Sequence, residues 1–241
     1  MSIGGKHAKP DTICPKIVVI GTLCACRSRV STARADETVF TDPGWNGSSY
    51  IYQFGYSNTA TYGEVITAPS DGNTQLNSFQ FYLNEPAGLT FGAYVAPWNG
   101  TYAGPLLYST PSPIITAGTG LVPYTVSTGG VNLTANNQYV LFTSISNYYA
   151  SDAGNGQGYM GWGGTPGSSS THFVWANNSG DFAGLFTTSW ATTGCASSNC
   201  GQGAFVLDYS SPTVTPEVPT VVLFGTGLLG ILFVMWKRVL I

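Results

Sequence analysis

The sequence predicts an all-β protein: a jelly-roll-like antiparallel β-sandwich followed by one C-terminal transmembrane helix. Three observations carry that expectation. Apolar and polar residues alternate at period two over many short runs. Clusters of Gly, Asn, Asp and Pro separate those runs. Before the C-terminal tail, no window of about ten residues shows the apolar stripe of a surface helix.

The chain opens with Lys6, Lys9 and Lys16 ahead of an apolar run, Ile17 to Cys26, and then the small residues Ala33 and Ala35 around Arg34. A basic start, an apolar core of about 10 residues and an Ala-x-Ala site are the parts of a secretory signal peptide, assigned to residues 1–35. A lipoprotein reading, with Leu23-Cys24-Ala25-Cys26 as the cleavage box and Cys26 lipidated, stays open beside it. Either route exports the middle of the chain.

Residues 36–211 form the extracytoplasmic domain, long enough for one sizeable core. In Leu76 to Leu83, Phe79, Phe81 and Leu83 share a face, with Ser78 and Gln80 on the other. Leu89, Phe91, Ala93 and Val95 likewise alternate with Thr90, Gly92 and Tyr94. Further strands are expected at 49–56, 62–68, 105–109, 122–127, 138–146, 171–176 and 204–209, with turns at 70–73, 84–88, Asn99-Gly100, Gly129-Gly130 and Asn136-Asn137. Eight or more short strands at this spacing call for two sheets packed face to face. Cys195 and Cys200, an even pair outside the cytoplasm, are expected to close a disulfide.

Charge narrows the function. All eight Lys and Arg lie in the two ends, and the domain holds nine acids, for a net charge of −9 with His172 neutral. Nucleic acid is thereby excluded as a partner, because its capture depends on cations that displace counterions. Phosphates and anionic polymers are disfavoured on the same ground. Uncharged glycans, divalent cations and other proteins stay possible partners. The 29 aromatic residues of the domain argue that it folds in spite of its glycine content.

Catalytic constellations are sparse. His172 is the domain's single His, and no Gly-x-Ser-x-Gly elbow is present. Glycoside hydrolysis needs two carboxylates about 5–9 Å apart, and no expected strand carries acids at i and i+2. Gly156-Gln157-Gly158-Tyr159-Met160-Gly161 has the spacing of a dinucleotide fingerprint but lacks a helix start behind it. The expectation is a non-catalytic protein without a cofactor. Asp152 and Asp181 sit in Asn/Gly-rich loops that suit either calcium or ordinary turns. Trp98, Tyr102, Tyr148, Tyr149 and Trp162 fall in expected loops, where flat rings beside Asn, Thr and Asp suit uncharged sugars. Cover for the sandwich ends is the alternative role for those rings.

The tail, residues 212–241, starts as a Pro- and Glu-containing stalk. Val218 to Trp236 is 19 residues without a charge, enough for a helix to cross a hydrocarbon core of about 30 Å. Lys237 and Arg238 follow as a stop-transfer end. Pro216-Glu217, then Leu223-Phe224-Gly225-Thr226-Gly227-Leu228-Leu229-Gly230, then Lys237-Arg238 resembles the PEP-CTERM sorting signal of bacterial envelope proteins. Val218 stands at the place of the family's second Pro, and Pro219 comes one position later. The resemblance implies an exosortase as partner, residence in the inner membrane before processing, and delivery to the cell surface. Stretches 62–69 and 79–104 are similar to uncharacterised sandwich domains carried by such proteins. That company implies an exopolysaccharide or matrix setting, with either a glycan-binding or a purely structural role; an extracellular glycan hydrolase is the further alternative.

Overall fold

The structure is a computed structural model that describes residues 36–57, 59–85, 88–116, 120–153, 160–166, 172–192 and 201–212. The leader with Ala33 and Ala35, the pair Cys195 and Cys200, the sorting residues Pro216, Glu217 and Pro219, and the stop-transfer pair Lys237 and Arg238 lie outside them. Among the described residues, no helix is long and apolar enough to cross a membrane.

Two antiparallel sheets make up the described chain. The first contains β1 (Glu37–Phe40), β2 (Tyr50–Phe54), β4 (Gln75–Glu85), β8 (Gly120–Asn132), β10 (Met160–Thr165), β12 (Gln202–Gly203) and β13 (Val206–Ser210). The second contains β3 (Thr61–Thr67), β5 (Thr90–Pro97), β6 (Tyr108–Ser109), β7 (Ile114–Ile115), β9 (Gln138–Ser144) and β11 (Phe173–Ala176). In the first sheet β13 lies between β1 and β4, and β8 runs along β4. In the second, the order is β11, β3, β9, β5, with β6 and β7 paired to β5.

Period-two patterning produces the core between the sheets. Leu76, Phe79, Phe81 and Leu83 of β4 are buried, as are Phe91, Ala93 and Val95 of β5 and Tyr62 and Ile66 of β3. Each Leu, Ile, Val or Phe among them contributes about 1.5–3 kcal/mol through removal from water. Aromatic rings dominate the centre: Trp162 stacks on Phe81 at 4.9 Å and 14°, and meets Phe54 edge-on at 6.0 Å.

Two elements depart from the sequence expectation, and the glycine fingerprint turns out as the sequence suggested. Gly129-Gly130 is not a turn but a bulge inside β8, where the register with β4 shifts between Leu76 and Ser78. Their φ angles of 69° and 91° lie in the left-handed region, which glycine enters without a Cβ clash. The glycine fingerprint runs into strand β10 rather than a helix, so its phosphate-binding reading fails on context. Finally, Trp162 lies in β10 and is fully buried, not in an exposed loop.

The other face of the second sheet is covered as well. Val65, Tyr94, Ala96, Val140, Phe142 and Val174 pack there against Leu185 and Trp190. Alternation alone would have left Tyr94 in water; instead it stacks on Phe142 at 4.9 Å and touches Phe182. The chain from Asn178 to Trp190, with its short 3-10 turn Ala183–Phe186, forms this cover.

Candidate functional site

The cover is held to the sheet by a buried polar chain. The Thr61 hydroxyl lies 2.7 Å from Ser144 Oγ and 2.9 Å from Asn178 Oδ1. Ser144 Oγ donates to Ser146 Oγ at 2.9 Å, and Asn178 Nδ2 donates to the same Ser146 oxygen at 2.6 Å. Asn178 also donates to the Asp181 carbonyl at 2.7 Å. Asp181 Oδ1 accepts the Gly184 N–H at 2.9 Å, capping the 3-10 turn. At the far end, Trp175 and Ala191 exchange both backbone hydrogen bonds, at 2.9 and 2.8 Å.

Between β11 and this cover runs a groove of about 330 Å³. Trp175, Asn177, Asn178, Asp181, Thr188 and Ser189 line it, with Leu185 among the apolar members. Asn177, Asp181, Thr188 and Ser189 are exposed, and no lining residue carries a positive charge. A ring, amides, hydroxyls and one carboxylate on a pinned frame suit an uncharged polyhydroxylated ligand.

A second recess, of about 260 Å³, lies along β1, β3 and β13. Glu64 lines it and is only 1% exposed. Its Oε2 accepts the Gly203 N–H at 2.9 Å. Burial pushes this carboxyl well above the ordinary carboxylate range; the Gly203 hydrogen bond opposes that rise, and the charge of Asp42 adds to it. Asp42 is buried too, accepting the Thr165 N–H at 2.9 Å, but it does not line the recess. The two facing carboxylates that a glycosidase requires are therefore not presented to one cleft here.

The five aromatics expected in loops have different surroundings. Trp98 and Tyr102 are half-buried against the second cluster, where Trp98 meets Trp190 edge-on at 5.7 Å. Tyr148 and Tyr149 belong to a helical turn after β9; Tyr149 packs on Tyr56 at 5.0 Å. Trp162 is at the centre of the sandwich. Trp162 is thus corrected from an exposed loop to the core, and it cannot stand on an exposed sugar face with Trp98 and Tyr102.

The calcium candidates take other roles. Asp152 is 1% exposed, and its carboxylate accepts the Thr90 N–H at 3.2 Å. Burial raises its pKa, with the Thr90 hydrogen bonds opposing. Asp181 is the cap described above. Among the described residues, no group of three or more His, Cys, Asp or Glu is placed to hold a metal ion.

Sequence reasoning missed both recesses. The groove draws on β11 and a loop segment that share no periodicity. Glu64 did leave a trace: it shares the face of Tyr62 and Ile66 at i±2 and is therefore an acid on a core face.

No protein-family model and no curated protein matches this chain. Among solved structures it is similar to the clostridial cysteine protease Cwp84 after propeptide cleavage, at 12% identity over 72% of this chain, with a TM-score of 0.43. This chain spans 40% of that protein's length.

Proposed function

We propose that this protein is an exported, envelope-anchored or surface-sorted jelly-roll domain that binds uncharged glycan in the groove beside β11, without catalysis. Its setting is exopolysaccharide or matrix. The strand order supports the jelly roll: β1, β13, β4 and β8 face β3, β9, β5 and the β6–β7 edge, and the chain crosses repeatedly from sheet to sheet. The remaining strands β2, β10, β11 and β12 are additions to that plan. Export, the transmembrane helix of 218–236 and exosortase processing rest on the sequence of the two ends.

One observation carries the ligand class. The groove offers an aromatic residue, the Asn177 amide, two hydroxyls and a carboxylate on an anchored frame, in a domain devoid of Lys and Arg. Sugar hydroxyls are bonded by such groups, and anionic ligands are repelled.

The test is retention of the full-length protein, in detergent, on neutral and acidic polysaccharides. Neutral polysaccharide should retain it, and Asn177→Ala combined with Thr188→Ala should weaken retention by about tenfold without lowering stability. Both side chains are exposed, so their loss leaves the core intact. Retention unchanged by the double substitution would remove the groove from the reading. No retention on any neutral polymer would leave the purely structural matrix role.

A further inference from the structure

The outer face of the second sheet is shielded by the chain's own cover. Among the described residues, no cluster of buried apolar side chains forms on the outer face of the first. Register fixes what that face presents. Phe40, Val206, Gln80 and Thr125 stand side by side across β1, β13, β4 and β8. Four strands at a spacing of about 4.8 Å make this row about 14 Å long. Thr38, Asp208, Ser78 and Ser127 form the next row on one side, and Tyr82 lies opposite Pro123 on the other. Phe79, Phe81 and Leu83 alternate with Ser78, Gln80 and Tyr82 and fill the core, so these rows point away from it.

One end of the face is aromatic. Trp45 lies against Tyr82 with ring centroids 4.6 Å apart and meets Phe40 at 6.5 Å. It also lies over Gly163, where a Cβ would stand 3.0 Å from its ring. Tyr50, 48% exposed, is the cross-strand neighbour of that glycine. The Trp45 indole N–H donates to the Ser49 carbonyl at 2.8 Å, which fixes the ring. A polar relay runs beside the rings: the Tyr82 hydroxyl donates to Gln80 Oε1 at 3.0 Å, and Gln80 Nε2 donates to Thr125 Oγ1 at 2.8 Å. The relay orients the amide and leaves the second Gln80 N–H and the Thr125 hydroxyl hydrogen able to donate outward.

We infer that this face is a second surface for uncharged polysaccharide, with sugar rings stacked on Trp45, Tyr82 and Tyr50 and their hydroxyls bonded by Gln80 and Thr125. Sugars present apolar ring faces beside hydroxyls, and fixed aromatic rings beside an oriented amide and hydroxyl match that alternation. A protein partner would instead need a contiguous apolar centre, whereas Gln80, Ser78 and Thr125 interrupt the apolar groups here. Asp208 is the one carboxylate in these rows and they hold no cation, so acidic polymers are repelled. The inference rests on the glycan-binding reading for its ligand class. The face shares no residue with the groove and belongs to the other sheet, so either site can fail alone.

The test is affinity electrophoresis of the full-length protein in detergent, through gels holding hydroxyethyl cellulose, dextran or galactomannan, with alginate as the acidic control. It is run on the natural protein and on the groove variant Asn177→Ala with Thr188→Ala. In the groove variant at least one neutral polymer should still retard migration, and alginate should not. Adding Trp45→Ala should then weaken that retardation about tenfold, and Trp45→Phe, which keeps a ring, should weaken it less. Gln80→Ala with Thr125→Ala keeps every ring, alters only the solvent side of the sheet, and should weaken it about fivefold. This pair decides the matter if the denaturant midpoint shows that Trp45→Ala does not fold. Loss of all retardation through the groove substitutions alone, or unchanged retardation in folded face variants, would overturn the inference and leave the groove standing. Loss through the face substitutions, with no effect of the groove ones, would support it and remove the groove. No retardation by any neutral polymer, or equal retardation by alginate, would overturn it together with the neutral-glycan reading.

Discussion

Glu64 occupies the interior face of β3 between Tyr62 and Ile66, where every neighbour on that face is a core residue. In an unfolded chain a glutamate titrates near about 4.3. Folding raises that value through burial, so between the two values the native state holds more protons than the unfolded chain. Stability is therefore complete, for this group, below the unfolded value, and is lost as pH rises through the folded one. Asp152, also raised by burial, acts with the same sign. Unfolding free energy from denaturant titration should accordingly decline as pH rises above the unfolded carboxylate value, by at most about 1.4 kcal/mol per unit for each such group, the limit for one proton. Glu64→Gln should make the decline shallower. A flat profile in the natural protein, or the same slope in the variant, would contradict the buried-carboxyl account.

Strand β10 shows how an element can escape the sequence and still be central. Its residues Met160 to Thr165 include three glycines, which read as loop. Their purpose is close approach. A Cβ on Gly163 would stand 2.8 Å from the Tyr82 Cβ and 3.0 Å from the Trp45 ring, inside van der Waals contact. Gly163→Ala should thus cost about 1–3 kcal/mol in urea denaturation, the range for overpacking a filled site. A loss much smaller than that would mean Trp45 and Tyr82 move aside freely. Strands β4 and β5 were legible from alternation at period two, and β3 and β9 from short runs of β-branched, aromatic and apolar residues between turn signals. The cover from Asn178 to Trp190 was not. A sequence pattern distinguishes two faces of a strand but says nothing of what later chain returns to shield the second one. The candidate groove inherits that limit, since six of its ten lining residues belong to the cover. For the same reason Trp98 and Tyr102, placed correctly in a turn beyond β5, proved to be packing partners of Trp190 and its neighbours.

For the whole molecule, the separation of charge matters more than its sum. Every Lys and Arg lies in the leader or the tail, while the domain between them carries only acids. Under the proposed export, the basic residues of the tail would mark the cytoplasmic side of its membrane segment. The last described strand, β13, ends at Ser210 and lies between β1 and β4. Pro216 comes after it, so cleavage there would spare every described strand. Expression in paired bacterial hosts with and without an exosortase, read by intact mass and cell fractionation, tests this arrangement. With the enzyme, the mature chain should end near Pro216, leave the inner membrane, and unfold at the same denaturant midpoint as the anchored form. Without it, the tail should stay attached and the protein should remain in the inner-membrane fraction. If the tail is retained in both hosts, Val218 in place of the second proline has disabled the signal, and the domain works as a periplasm-facing anchored module. A released chain with a lowered midpoint would instead put the cut inside β13, because losing a strand flanked on both sides breaks two ladders at once.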